Sequence, residues 1–142
     1  MNKRFLVSVV VLFVLSMGFG FLIHGTVLAA DYTQLANLGI YRQPEAAAPL
    51  MPYMLAANVI FAIGFTWIYR AGRDNRPWPG QGLRFGIAVA LLSTIPTYLI
   101  YYVVTPMPSD LAAQQAVFDS IGMIVLGLAA AFINRDPAPA RA

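Results

Sequence analysis

LAAQQAVFDSIGMIVLGLAAAFI, residues 111–133, is an apolar stretch interrupted at depth by one acid, Asp119. A bilayer is crossed by about 20 mostly apolar residues, and this stretch is long enough. Three more lie upstream, at about residues 5–27, 50–70 and 84–104. Placing alternate loops on opposite sides sorts the basic residues sharply. Lys3, Arg4, Arg70, Arg73, Arg76, Arg84, Arg135 and Arg141 fall on one side, and only Arg42 on the other. Such a bias sets orientation, with the basic side cytoplasmic. The expected architecture is all-α: one transmembrane domain over residues 1–142, folded as an antiparallel four-helix bundle, N-in and C-in.

Composition agrees with that reading. The chain is 59% hydrophobic and 11% charged, against about 25% charged in soluble domains. Its net charge of +3 is accounted for by the cytoplasmic loops. No interleaving of aromatic and basic residues suggests a nucleic-acid platform, so no nucleic-acid partner is expected. There is no cysteine, which excludes thiolate catalysis, disulfide exchange and Cys-ligated metal. With one histidine, a single chain cannot offer two imidazoles to a haem or metal. No cofactor is expected.

The start of the chain carries a rival reading. Asn2-Lys3-Arg4, an apolar run and Val27-Leu28-Ala29 resemble a secretory signal with its cleavage site. The apolar run is longer than the usual 7–15 residues, and Gly18, Gly20 and Gly25 suit helix packing, so a retained first span is expected.

Prolines mark the boundaries: Pro44, Pro49 and Pro52 before span 2, Pro77 and Pro79 after it, Pro106 and Pro108 between spans 3 and 4, Pro137 and Pro139 in the tail. Ser109 or Asp110 is expected to cap span 4. Pro96 interrupts span 3, with Ser93 and Thr94 beside the lost backbone bond. The loop from about Ala29 to Pro49 is too small to bury a core alone. Trp67 and Trp78, and on the other side Tyr53, Tyr101 and Tyr102, sit at belt positions.

Small residues recur at four-residue steps: Ser16, Gly20 and His24; Gly82, Gly86, Ala90 and Thr94; and Ser120, Gly127 and Ala131 lie along span 4. Between helices in lipid, small residues allow the close contact that replaces hydrophobic driving force. Gly20, Gly82, Gly86 and Gly127 are the expected packing positions.

Polar side chains within the spans gather in the outer half. Asn58 lies in span 2, Tyr98 and Tyr101 in span 3, Asp119 and Ser120 in span 4, and His24 closes span 1. The inner half reads as apolar except for Thr66. An intramembrane carboxylate costs about 2.5–3.5 kcal/mol on insertion scales, so Asp119 should turn inward to a partner. His24, Asn58, Gln115 and the tyrosines are the candidates. His24, Asn58, Tyr98, Tyr101, Asp119 and Ser120 form the expected polar cluster. No catalytic motif accompanies it: there is no HExxH, and His24, Asp119 and Ser120 lack a nucleophile motif.

His24-Gly25, Tyr32, the stretch from Leu38 to Glu45, Gly82-Leu83-Arg84-Phe85-Gly86 and Asp119 together resemble small four-helix bacterial inner-membrane proteins grouped as a domain of unknown function. Phe118 stands where related families often carry tryptophan. The resemblance covers most of the chain and implies fold and location, with no activity. The expected function is a non-enzymatic accessory or structural subunit in the lipid bilayer, packed with a membrane-protein partner or a second copy. The alternative is a small transporter or proton-coupled carrier using Asp119 and His24.

Overall fold

The computed structural model describes residues 3–74 and 76–135; Arg141, Pro137 and Pro139 lie outside them. The described residues are helical apart from short turns, and four helical stretches are long and apolar enough to cross a membrane: Lys3–Val27, Pro44–Gly72, Trp78–Val104 and Ser109–Asn134. The fold is an all-α, four-helix bundle of a multi-pass membrane protein.

The first stretch is α1 (Lys3–Leu22), which runs on through a wider π turn at Ile23–Val27. A short helix, α2 (Ala29–Asn37), follows. One further turn, α3 (Pro44–Ala47), and a 3-10 turn lead into α4 (Met51–Gly72), with prolines in first-turn positions where a missing N–H costs nothing. The third stretch is α5 (Trp78–Val89), a π turn at Ala90–Thr94, then α6 (Ile95–Val104). The last is α7 (Ser109–Asn134). Pro108 stands at its N-cap and no side chain caps it, so neither Ser109 nor Asp110 takes the expected role.

Pro96 leaves the third stretch unbroken. The π turn before it gives the Ile95 N–H the carbonyl of Ala90, one residue further back than in an α-helix. The wider turn has a second effect. Each four-residue step in an α-helix overshoots a full turn by about 40°. A π turn takes up part of that drift, so Gly82, Gly86, Ala90 and Thr94 are all buried along one seam.

α7 is the central helix. Ser8 lies beside Asn134 and His24 beside Asp119, so α1 and α7 run in opposite directions. A Cβ on Gly82 would lie 2.8 Å from the Gly127 carbonyl oxygen, and one on Gly86 would lie 2.5 Å from the Ile124 Cα. A Cβ on Gly127 would meet the Gly82 oxygen at 2.4 Å. Backbone packs directly on backbone here, as small residues permit in lipid. Gly20 is different: nothing lies within 4 Å of where its Cβ would stand. The same spacing that serves α5 leaves Gly20 beside an open cleft, because no backbone lies opposite it.

Two apolar cores divide the bundle lengthwise. One contains Leu12, Ala62, Phe65, Tyr69, Leu126, Ala130 and Ala131. Phe65 and Tyr69 of α4 stand edge-on to Phe85 of α5, with ring centroids 4.8 and 5.3 Å apart. This is the basic end: Arg70 lies over the Phe5 ring, and Arg4 and Arg73 donate to the carbonyls of Arg135 and Asn134. The other core, at the far end, joins Ile23, Leu28 and Leu35 to Met107, Leu111 and Ala112. The segment after α1 therefore completes a core with the start of α7. A glycine makes this turn: Gly39 has φ 74°, the left-handed region that favours glycine. Its N–H donates to Ala36 and that of Ile40 to Leu35, which stops α2 and folds Ile40 back onto Leu35.

Candidate functional site

Five polar side chains from four elements meet at the far end. The π turn after α1 carries His24, α2 carries Tyr32, α6 carries Tyr98, and α7 carries Gln115 and Asp119. His24 Nε2 lies 3.1 Å from Asp119 Oδ1, and His24 Nδ1 lies 2.6 Å from the Tyr32 hydroxyl. The Tyr98 hydroxyl donates to Asp119 Oδ2. Gln115 Nε2 donates to the Tyr32 hydroxyl oxygen at 2.7 Å. The imidazole also packs against the Tyr32 ring, which in turn packs against Tyr41, with centroids 5.7 and 5.6 Å apart.

The protons of this chain have one arrangement that uses every donor. Burial pushes the Tyr32 phenol up to about 12, with the Gln115 hydrogen bond opposing. Tyr32 therefore keeps its proton at neutral pH. Its oxygen already accepts from Gln115, so its O–H donates to His24 Nδ1. A neutral imidazole then carries its proton on Nε2, which donates to Asp119. The carboxylate accepts from both sides, from His24 and from Tyr98. This tautomer is assigned from the network of partners.

Asp119 has a second outlook. The His24 and Asp119 side chains are 32% and 17% exposed. Asp119 lines a cleft of about 280 Å³ between α1, α4 and α7, together with Ser16, Gly20 and Asn58. Ser16 donates to Asn58 Oδ1 at 3.1 Å, and Asn58 Nδ2 donates to the Met54 carbonyl. Towards the basic end the cleft closes on Leu126, which belongs to the first core. The polar groups thus open sideways and towards the far end, above an apolar plug.

Of the residues expected to cluster, His24, Tyr98 and Asp119 come together. Asn58 shares the cleft with Asp119 but hydrogen-bonds to Ser16 and Met54. Tyr101 is half exposed, and Ser120 bonds back to the Ala116 carbonyl, a local habit of serine in helices. Neither reaches the cluster. Gln115 serves Tyr32 instead of Asp119, and its Oε1 is buried with no donor on it among the described residues. Tyr32 was visible in the sequence only as part of the resemblance. Its place depends on α2 folding back, which apolar Leu28, Leu35 and Gly39 could have signalled.

The expectation of an apolar inner half needs correction. Ser8 and Asn134 are buried near the basic end, with Asn134 Nδ2 donating to Ser8 Oγ at 2.8 Å and to the Ala130 carbonyl at 2.9 Å. Among the described residues, no group of three or more His, Cys, Asp or Glu is placed to hold a metal ion. No protein-family model, curated protein or solved structure matches this chain.

Proposed function

We propose that this chain is a non-enzymatic subunit of the bacterial inner membrane, of the small four-helix kind it resembles, with both termini cytoplasmic. Its cleft receives a helix from a membrane-protein partner or a second copy. The observation that carries the reading is the state of α4. None of residues 51–60 is buried on any side, and Asn58 alone is even half-buried. Its buried residues, Ala62, Phe65, Thr66 and Tyr69, all lie in the second half. The first half therefore stands off the bundle and borders a cleft holding Ser16, Asn58 and Asp119. Polar groups at membrane depth are best satisfied by another helix that brings small or hydrogen-bonding residues. The basic end, which gathers Arg4, Arg70, Arg73 and Arg135, supports a cytoplasmic placement by charge.

The absence of cysteine makes the test clean. Ala57→Cys puts a unique thiol on the cleft, and Leu99→Cys puts one on exposed α6. A bifunctional thiol-to-amine reagent applied to intact membranes should join a protein to the first and not to the second. Equal adducts, or none at Ala57→Cys, reject the subunit reading. Reporter fusions after Tyr41 and after Asp74 check orientation, with the first expected outside and the second in the cytoplasm.

A proton-coupled carrier is the second reading. It is favoured by the unbroken hydrogen-bond chain from Gln115 through Tyr32 and His24 to Asp119, which links the far end to the cleft. A carrier in vesicles would lose proton flux on Asp119→Asn, whereas a subunit would show none to lose.

A further inference from the structure

A second pair of cavities lies at the basic end, away from the cleft. One, of about 490 Å³, runs between α4 and α5, lined by Ile68, Phe85 and Leu91 and by Arg73 and Arg84. Beside it lies a cavity of about 260 Å³ ringed by Arg73, Arg76, Arg135 and Trp78. The two share Tyr69, Arg73, Asp74 and Gln81. We propose that this pair is a binding site for one anionic phospholipid, its phosphate among the arginines and an acyl chain in the apolar groove.

The walls fit a chain. Ile68 and Leu91 are 57% and 61% exposed, so an occupant of the groove would meet apolar surface at membrane depth. From Arg84 to Leu91 the helix rises about 10 Å, which gives an acyl chain continuous contact below the headgroup. Charge selects the headgroup. Arg84 makes no hydrogen bond or ion pair with the described residues. Asp74 is the one described acid lining these cavities, and Arg76 occupies it, with Nε 3.2 Å from Oδ2 and the backbone N–H 2.9 Å from Oδ1. Gln81 is likewise spent on Asp74 and Arg76 backbone groups. The site thus offers guanidinium to a phosphate and keeps no free carboxylate for the ammonium of a zwitterionic lipid. Arginine matches phosphate with paired, charge-assisted hydrogen bonds, and Trp78 sits where an interfacial ring meets headgroups.

The test is native mass spectrometry of the full chain in mild detergent, titrated with phosphatidylglycerol and with phosphatidylcholine of the same acyl chains. Phosphatidylglycerol should form a one-to-one adduct at no more than about one-fifth the concentration, and Arg84→Gln should weaken that adduct about fivefold, the effect of one basic residue at an anionic lipid. Arg84 is exposed, so this variant folds. Ala88 lines the groove, and Ala88→Trp should fill it and remove the preference. Glycerol phosphate, the headgroup without chains, should not compete. Equal affinity for the two lipids, no effect of Arg84→Gln, or full competition by glycerol phosphate each overturns the proposal.

Discussion

α7 meets α5 and α1 by two different means. Against α5 it presents backbone: Gly127 lies against Gly82 and Gly86, with no room for a Cβ on any of the three. Against α1 it presents polar side chains, Asn134 to Ser8 near one end and Asp119 to His24 near the other. Lipid tails are as apolar as leucine, so neither seam gains from hydrophobic burial between helices. The first seam holds by close van der Waals contact along its length. The second adds two polar points to side-chain packing such as Leu12 in one core with Leu126 and Phe19 over Gly122, and the points differ. Ser8–Asn134 is neutral and buried, while His24–Asp119 is ionisable and partly open to a cleft. A close seam fixes two helices; a pointwise one leaves space beside it, and the cleft lies there.

The comparison breaks most visibly at the glycines. Gly86→Leu drives a side chain into the Met123 and Ile124 backbone, which has no flexible end to yield. The expected cost is at or above the top of the usual range for overpacking, about 3 kcal/mol. Thermal unfolding in detergent reads it. Gly20→Ala is the counterpart on the other seam. Its Cβ meets nothing, so the loss of helix-interior glycine should leave stability unchanged or raise it by up to about 1 kcal/mol. Similar losses at both positions would show that the two seams are alike after all.

Asp119→Asn comes next. The carboxylate accepts from His24 and from Tyr98, and an amide oxygen can serve only one of them while the amide nitrogen faces the other donor. The expected cost is about 1–2 kcal/mol, within what polar contacts between membrane helices reach. Asn134→Leu should cost less, about 0.6 kcal/mol. Its partner Ser8 still donates to the Arg4 carbonyl at 2.8 Å, so no donor is stranded. A larger loss at Asn134 than at Asp119 would reverse the ranking of the two points.

The sequence exposes the seams unequally, for physical reasons. The spans are legible because crossing lipid demands length and apolarity, which composition records directly. Gly82 and Gly86 are legible from four-residue spacing, yet Gly20 has the same spacing and packs on nothing. Spacing tells which face is small and says nothing of what lies opposite. Depth alone offers Asp119 a short set of partners with His24 among them, since an intramembrane acid restricts its own surroundings. Asn58 satisfied the same depth argument and bonds elsewhere, because depth does not fix the angle around the helix. Ser8 and Asn134 are not legible as a pair, because residues near span ends read as interfacial. Tyr32 lay outside any periodic pattern, since the Gly39 turn and the π turn at Ile23–Val27 place it.

The smallest effect sharpens the ionisable point of the seam. Tyr32 ties α2 to the His24–Asp119 pair, and burial pushes its phenol from the ordinary 10 up to about 12. A group whose folded value lies above its unfolded one binds more protons folded than unfolded between the two. Stability from Tyr32 is therefore whole below pH 10 and falls as pH rises from 10 to about 12. Other tyrosines titrate in the same range, so the measurement must be a difference. Tyrosinate absorbance of the wild-type chain minus that of Tyr32→Phe should rise with a midpoint near pH 12. Tyr32→Phe itself should flatten the alkaline loss of amide protection in α2, because the hydroxyl bridging His24 and Gln115 is gone in both forms. A difference midpoint near the ordinary 10 would mean that the phenol is solvated, that α2 does not close over the cluster, and that His24 Nδ1 has a partner other than Tyr32.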